Sequence, residues 1–124
     1  MHAFLLVAIG GALGSVARYA LGGLVHRYAP ASFPYGTFVV NVTGCLCFGI
    51  IAGLFEERTV VAPAARTFLL IGVLGGFTTF SSFTFETFGL LRDAEIAWAL
   101  LNGVGQVVIG LLALWVGYVI ARAV

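Results

Sequence analysis

The chain has 124 residues, of which 61% are hydrophobic and 9% charged, with a mean hydropathy of +1.12. Soluble domains carry about 25% charged residues, so a water-soluble globular fold is excluded. A formal net charge of +1 provides no polyanion-binding patch, which excludes nucleic acid as a partner.

Charged residues fall mostly in clusters that divide the chain into four apolar stretches, roughly 3–25, 36–55, 67–90 and 96–121. Each meets the requirement of about 20 apolar residues for a spanning helix. The expected fold is an all-α membrane protein, a single four-helix transmembrane domain over residues 1–124. The first stretch reads as a retained helix rather than a signal peptide. It has no cationic start beyond His2, it contains Arg18, and it runs past a normal signal core. The connections are short: His26 to Tyr35 with Pro30 and Pro34, Glu56 to Arg66 with Pro63, and Arg92 to Glu95. Soluble catalysis has no place to reside, so no enzyme is expected. Transport, signalling or scaffolding within lipid remains.

In the first span, Arg18 is a guanidinium at membrane depth, where such a group normally faces protein or water and finds an acceptor. It either holds the bundle together or draws anions towards a vestibule. Gly10 and Gly14 there, Gly49 and Gly53 in the second span, and Gly72 and Gly76 in the third have the small-xxx-small spacing that lets backbones approach closely. A densely packed bundle is expected.

The second span carries one strongly polar side chain, Asn41. Its amide either donates to an anion or bonds a neighbouring helix. Cys45 and Cys47 are two residues apart and point to separated faces of a helix, so they neither bond to each other nor chelate together. They read as small packing residues.

The third span holds the most informative segment, Gly75–Glu86, in which five hydroxyl side chains alternate with phenylalanines. Hydroxyls donate hydrogen bonds and ring edges are partly positive, and both suit a small anion. Two consecutive glycines before β-branched Thr78 and Thr79 disfavour continuous helix by about 2 kcal/mol, so a break is expected near Gly75–Thr78. Unwound carbonyls at membrane depth can coordinate a cation. Carbonyls of Gly75 and Thr78 from two copies on a two-fold axis would form a four-oxygen cage suited to Na⁺; the competing reading is a packing notch in an intact helix. Phe80 and Phe83 share a helix face, and Ser81 and Thr84 lie beside them. An anion could exchange hydration for these weak donors, with no fixed cation to trap it. The bland alternative is a lipid-facing phenylalanine stripe. Glu86, near the end of the span, is either an interfacial snorkelling residue or an ionisable group beside the path.

All six basic residues are arginines. Arg58, Arg66 and Arg122 belong to one side of the membrane and Arg27 and Arg92 to the other, so the positive-inside bias is nearly absent. Both orientations can then insert, and an antiparallel two-fold dimer is the natural assembly. Four helices pack too tightly to enclose a pore, which places a pathway at the dimer interface.

The runs Gly10-Gly11-x-x-Gly14-x-x-x-Arg18-Tyr19, Gly36-Thr37-x-x-Val40-Asn41-x-x-Gly44 and Gly72-x-x-Gly75-Gly76-x-Thr78-Thr79-Phe80-Ser81-Ser82-Phe83 together resemble the Fluc (CrcB) fluoride channel family. The resemblance covers essentially the full length and is carried above all by the third run. It implies an antiparallel, dual-topology homodimer with two fluoride pores. It also implies an anion path of Asn41, Phe80, Phe83, Ser81, Ser82 and Thr84, and a structural Na⁺ on the carbonyls of Gly75 and Thr78 that is not transported. Ser82 stands where the family often has threonine. Asn102 and Gln106 in the fourth span occupy a region where tyrosine, serine-like or histidine residues are expected, and they are left out of the core site. The resulting expectation is a passive fluoride exporter of a prokaryotic inner membrane, spanning lipid several times. A rival is a small multidrug-type proton-coupled exporter, which would need a membrane-embedded carboxylate such as Glu86. A third is a non-conducting scaffold subunit, for which the glycine packing suffices.

Overall fold

The computed structural model describes residues 1–57 and 62–124, and the described residues form helices joined by short connections. Four helices among them are long and apolar enough to cross a membrane: His2–Tyr28, Tyr35–Glu56, Pro63–Arg92 and Ile96–Ala123. They extend the expected spans by a few residues, because helical bonding continues until proline or a polar turn interrupts it. Arg58, one member of the charge balance, lies outside the described residues.

We label α1 (His2–Tyr28), α2 (Tyr35–Glu57), α3 (residues 63–77), α4 (Phe80–Arg92) and α5 (Ile96–Ala123). Helix α1 stops where Ala29 turns extended, at φ −97° and ψ 147°, as expected for the residue before a proline. Helix α3 starts with Pro63 in its first turn, where a missing N–H costs nothing. Wider π-type turns run through Thr67–Leu74 in α3 and Leu101–Gly105 in α5. The ring of Phe33, buried in the α1–α2 connection, lies against Tyr35, Phe38 and Trp98 with centroids 4.9, 5.6 and 5.4 Å away. That cluster closes one end of the bundle.

The third span is interrupted as expected, but not at its glycines. Gly75 is helical, with φ −63° and ψ −34°, and α3 continues to Phe77. The extended residues are Thr78 (φ −79°, ψ 157°) and Thr79 (φ −146°, ψ 112°). β-Branched side chains favour the extended region, whereas the glycines serve close packing. A Cβ on Gly76 would lie 2.6 Å from the carbonyl oxygen of Gly11.

The anticipated glycine pairs define two tight seams. Along α1–α3, a Cβ on Gly10 would lie 2.8 Å from the Phe68 carbonyl, and one on Gly14 would overlap the Val73 carbonyl. Along α2–α5, a Cβ on Gly49 would overlap the Leu114 carbonyl and one on Gly117 the Leu46 carbonyl. In lipid no hydrophobic force separates helix from solvent, so close backbone contact is what holds such seams.

The α4–α5 turn is a Schellman-type stop. Glu95 N–H donates to Leu90 C=O (2.8 Å), Ala94 N–H donates to Leu91 C=O (3.1 Å), and Ala94 sits at φ 59°. An L-residue there costs about 1–2 kcal/mol. Ala94→Gly should therefore stabilise the protein by about 1 kcal/mol after its own entropy cost, read as a raised thermal midpoint in detergent. Gly49→Val, which drives a side chain into backbone, should destabilise by more than about 2 kcal/mol in the same assay.

Candidate functional site

Asn41 projects from the second turn of α2 onto the interruption between α3 and α4. Its Oδ1 accepts from Thr79 N–H at 2.8 Å, and its Nδ2 donates to Thr79 C=O at 3.1 Å. One side-chain amide thus bonds both the N–H and the C=O of one residue, as a neighbouring strand would. In an unbroken helix Thr79 N–H would serve Gly75 C=O; its diversion to Asn41 leaves that carbonyl without its helical donor. Thr78 is tied back to Leu74 C=O through its N–H (3.1 Å) and its hydroxyl (3.0 Å). Thr79 caps α4: its Oγ1 accepts from Ser82 N–H (3.3 Å) and donates to Ser82 Oγ (3.0 Å).

The polar connection continues into α5. Asn41 Nδ2 also donates to Gln106 Oε1 (2.6 Å), and Gln106 Nε2 donates to Asn102 Oδ1 (2.9 Å). Asn102 Nδ2 donates to Thr87 Oγ1 (2.9 Å), and that hydroxyl donates to Phe83 C=O (2.8 Å). Asn102 is fully buried and Gln106 is 6% exposed. Neither was assigned to the site from the sequence, yet both are wired to Asn41. The signal available was a pair of amides four residues apart on an otherwise apolar span, which places them on one helix face.

Asn41, Thr79, Phe80, Phe83 and Gln106 border a groove of about 410 Å³ whose remaining wall is mainly apolar. The rings of Phe80 and Phe83 lie 5.6 Å apart at 43°. Phe83 is buried against the bundle, whereas Phe80 is 76% exposed and forms an open rim. Ser81 and Thr84 lie on the exposed flank of α4, outside this groove. The Thr84 hydroxyl is directed at the carbonyls of Phe80 (3.1 Å) and Ser81 (3.0 Å). Ser82 is half-buried and faces a second cavity. The expected pathway residues therefore divide: Asn41, Phe80 and Phe83 converge within one chain, and the three hydroxyls do not join them.

That second cavity, about 510 Å³, is bordered by Arg18, His26, Thr37, Ser82 and Glu86. Thr37 donates its hydroxyl to Glu86 Oε1 at 2.6 Å, while Glu86 Oε2 is buried without a partner among the described residues. Glu86 and His26 also border a cavity of about 370 Å³ under the α1–α2 connection. Arg18 makes no ion pair among the described residues. Arg18, His26 and Glu86 thus border one polar space.

The carbonyls of Gly75 and Thr78 fit a hard cation in donor type. Gly75 C=O has lost its helical donor, and both oxygens lie at the C-terminal end of α3, where the helix dipole is negative. Among the described residues no cluster of three or more His, Cys, Asp or Glu side chains could hold a metal, so any cation held here would be held by carbonyls. Cys45 and Cys47 are free, and a Cβ on Gly110 would lie 3.3 Å from Cys45 Sγ, consistent with packing roles.

Fold and site define a polytopic helical membrane protein with a broken helix beside a polar-and-aromatic groove. A family model described as CrcB-like protein, Camphor Resistance (CrcB), matches residues 5–118, and the chain belongs to that family. It is 51% identical to the fluoride-specific ion channel FluC of Nitratidesulfovibrio vulgaris strain Miyazaki F, across 100% of both chains. It is 49% identical to the protein of that name from Opitutus terrae, over 98% of this chain and 93% of the relative. The protein of that name from Maridesulfovibrio salexigens is 43% identical, over 100% and 98% respectively.

Asn41→Leu would leave the N–H of Thr79 unpaired at membrane depth and remove the second donor to its carbonyl. The expected loss is about 2–4 kcal/mol, seen as a lowered unfolding midpoint.

Proposed function

We propose that this chain is a passive, fluoride-selective channel of a prokaryotic inner membrane. The observation that carries the reading is the groove bordered by the Asn41 amide network and by the rings of Phe80 and Phe83 beside a helix break. Full-length similarity to proteins named as fluoride-specific ion channels supports it, and those relatives are channels rather than enzymes. A small, strongly hydrated anion leaves water only where several donors replace its shell, and it moves on only where each holds it weakly. Neutral amides and ring edges meet both conditions. Such a leak serves a cell in acidic surroundings, because HF enters, dissociates inside and leaves fluoride behind.

The assembly in this reading is an antiparallel, dual-topology homodimer with two pores. Two features of the single chain support a second copy. Phe80 and Phe85 are 76% and 75% exposed beside exposed Ser81 and Thr84, and the freed Gly75 carbonyl sits on a residue exposed at membrane depth. Irregular backbone and polar groups are tolerated at that depth only when covered by protein or bordering a cavity. On a two-fold axis, the Gly75 and Thr78 carbonyls of both copies would hold a structural Na⁺ that neutralises the facing helix ends and is not transported. Arg18 and Glu86 would form the vestibule that admits the anion, with Glu86 placed to gate it, and Ser81, Ser82 and Thr84 would complete a polar track across the interface.

Fluoride release from liposomes containing the purified protein, followed with a fluoride electrode beside an identical chloride experiment, tests this directly. Fluoride should leave rapidly while chloride is retained. Phe80→Ile should slow fluoride release by about ten-fold while leaving the protein folded, since the ring edge is lost without a large cavity. Replacing Na⁺ by a bulky organic cation throughout should reduce activity or dimer stability. No fluoride release from a folded dimer would reject the reading.

A further inference from the structure

Helix α4 carries the phenylalanine pair of the groove, yet little of it is buried. Phe83 is its one buried residue, while Phe80, Phe85 and Phe88 are exposed. No hydrophobic force drives such a helix onto its neighbours in lipid, so its rotation about its own axis is set by side-chain bonds and close packing. Beyond the Asn41 pairing at its start, α4 is tied to α2 by the bond from Thr37 to Glu86 and to α5 by the bond from Asn102 to Thr87. Thr87 lies one turn after Phe83, on the same helix face.

Both branches of Thr87 are engaged. Its hydroxyl accepts from Asn102 Nδ2 (2.9 Å) and donates to Phe83 C=O (2.8 Å). A Cβ on Gly103 would lie 3.5 Å from Thr87 Cγ2, so the methyl rests where α5 has no side chain. A β-branched residue is stiff at χ1, and contacts on both branches leave it one setting. Asn102 is held as firmly. It is fully buried, its Oδ1 accepts from Gln106 Nε2 at 2.9 Å, and it lies in the π-type turn Leu101–Gly105, a distortion frequent at functional sites. A threonine bonded to the carbonyl four residues earlier is common in helices and carries no meaning alone. Here a buried amide from another helix bonds the same hydroxyl, although neither Thr87 nor Asn102 borders the groove. We propose that the Thr87–Asn102 pair is a positioning latch, which fixes the rotation of α4 and so holds the Phe83 ring at the groove wall. Its consequence for anion discrimination rests on the channel reading. A path that tells fluoride from chloride by tight geometry needs walls that keep their place, and Phe83 is one of them.

The test places 4-fluorophenylalanine at position 83 and reads its ¹⁹F resonance in detergent micelles, beside fluoride and chloride release from liposomes. Thr87→Val keeps the methyl and removes the hydroxyl. It should shift or split the ¹⁹F resonance, slow fluoride release about ten-fold, the worth of one buried hydrogen bond, and lower the ratio of fluoride to chloride release. Thr87→Ser, which keeps the hydroxyl, should restore the resonance and most of the flux. In an Asn102→Leu background Thr87→Val should add nothing, because the shared bond is already gone. A purely structural Thr87 would lower the unfolding midpoint in Thr87→Val without moving the ¹⁹F resonance. That result, or effects of the two substitutions on flux that multiply, would overturn the latch while leaving the channel reading intact. If Thr87→Val does not fold, Asn102→Leu breaks the same bond and is read in the same way. If neither folds, the wild-type protein decides: one narrow ¹⁹F line supports the latch, and several exchanging lines overturn it. A wild-type protein that releases no fluoride rejects the channel, and the ¹⁹F comparison still decides the latch.

Discussion

Thr79 N–H finds no acceptor in its own span and takes the Asn41 side chain instead, which also donates to Thr79 C=O. In lipid an unpaired N–H or C=O costs several kcal/mol, so a transmembrane helix breaks only where another element supplies replacements. Asn41 is that supply. Its position on α2 therefore decides where the third span opens, which carbonyl loses its donor, and where α4 begins. The open N-terminus of α4 then carries its positive dipole end and its Phe80–Phe83 pair on the groove side, while the C-terminus of α3 presents oxygens.

This pairing depends on distances set elsewhere. Gln106 reaches Asn41 at 2.6 Å only because α2 and α5 are in backbone contact through Gly49 and Gly117. The α1–α3 seam, built on Gly10, Gly14, Gly72 and Gly76, seats the half-helix that ends at Phe77. Glycine in these spans is thus a distance constraint on the polar network as well as a packing device. The network in turn is a single donor-to-acceptor chain running from Thr79 to Phe83, which ties both ends of the groove to the same set of amides.

One chain builds only part of the site. Asn41, Phe83 and Gln106 are inside the bundle, Phe80 stands on its rim, and Ser81 and Thr84 face outward. In the proposed dimer these outward groups become interior, and each groove would be closed by a surface of the other copy. The space around Arg18, His26 and Glu86 differs in kind, being bordered by ionisable side chains of a single chain.

The class of protein, its four spans and the unusual Gly75–Glu86 segment were legible in the sequence, because transfer into lipid depends on local composition and length alone. Asn41, Phe80 and Phe83 were legible too, as polar or aromatic residues out of keeping with their apolar surroundings. The break was foreseen near Gly75–Thr78; the structure leaves the glycines helical and opens the chain at Thr78 and Thr79, where Asn41 supplies a partner. Asn102 and Gln106 were noticed and set aside, since nothing within their own span says what they face. Their role rests on bonds between residues 38 and 65 positions apart in the chain, Thr79 to Asn41 and Asn41 to Gln106. Hydropathy and helical periodicity thus determined which segments enter the membrane. Only the packed bundle decided which amide meets which, because hydrogen-bond direction is a property of contacts between spans and leaves no trace along any one of them.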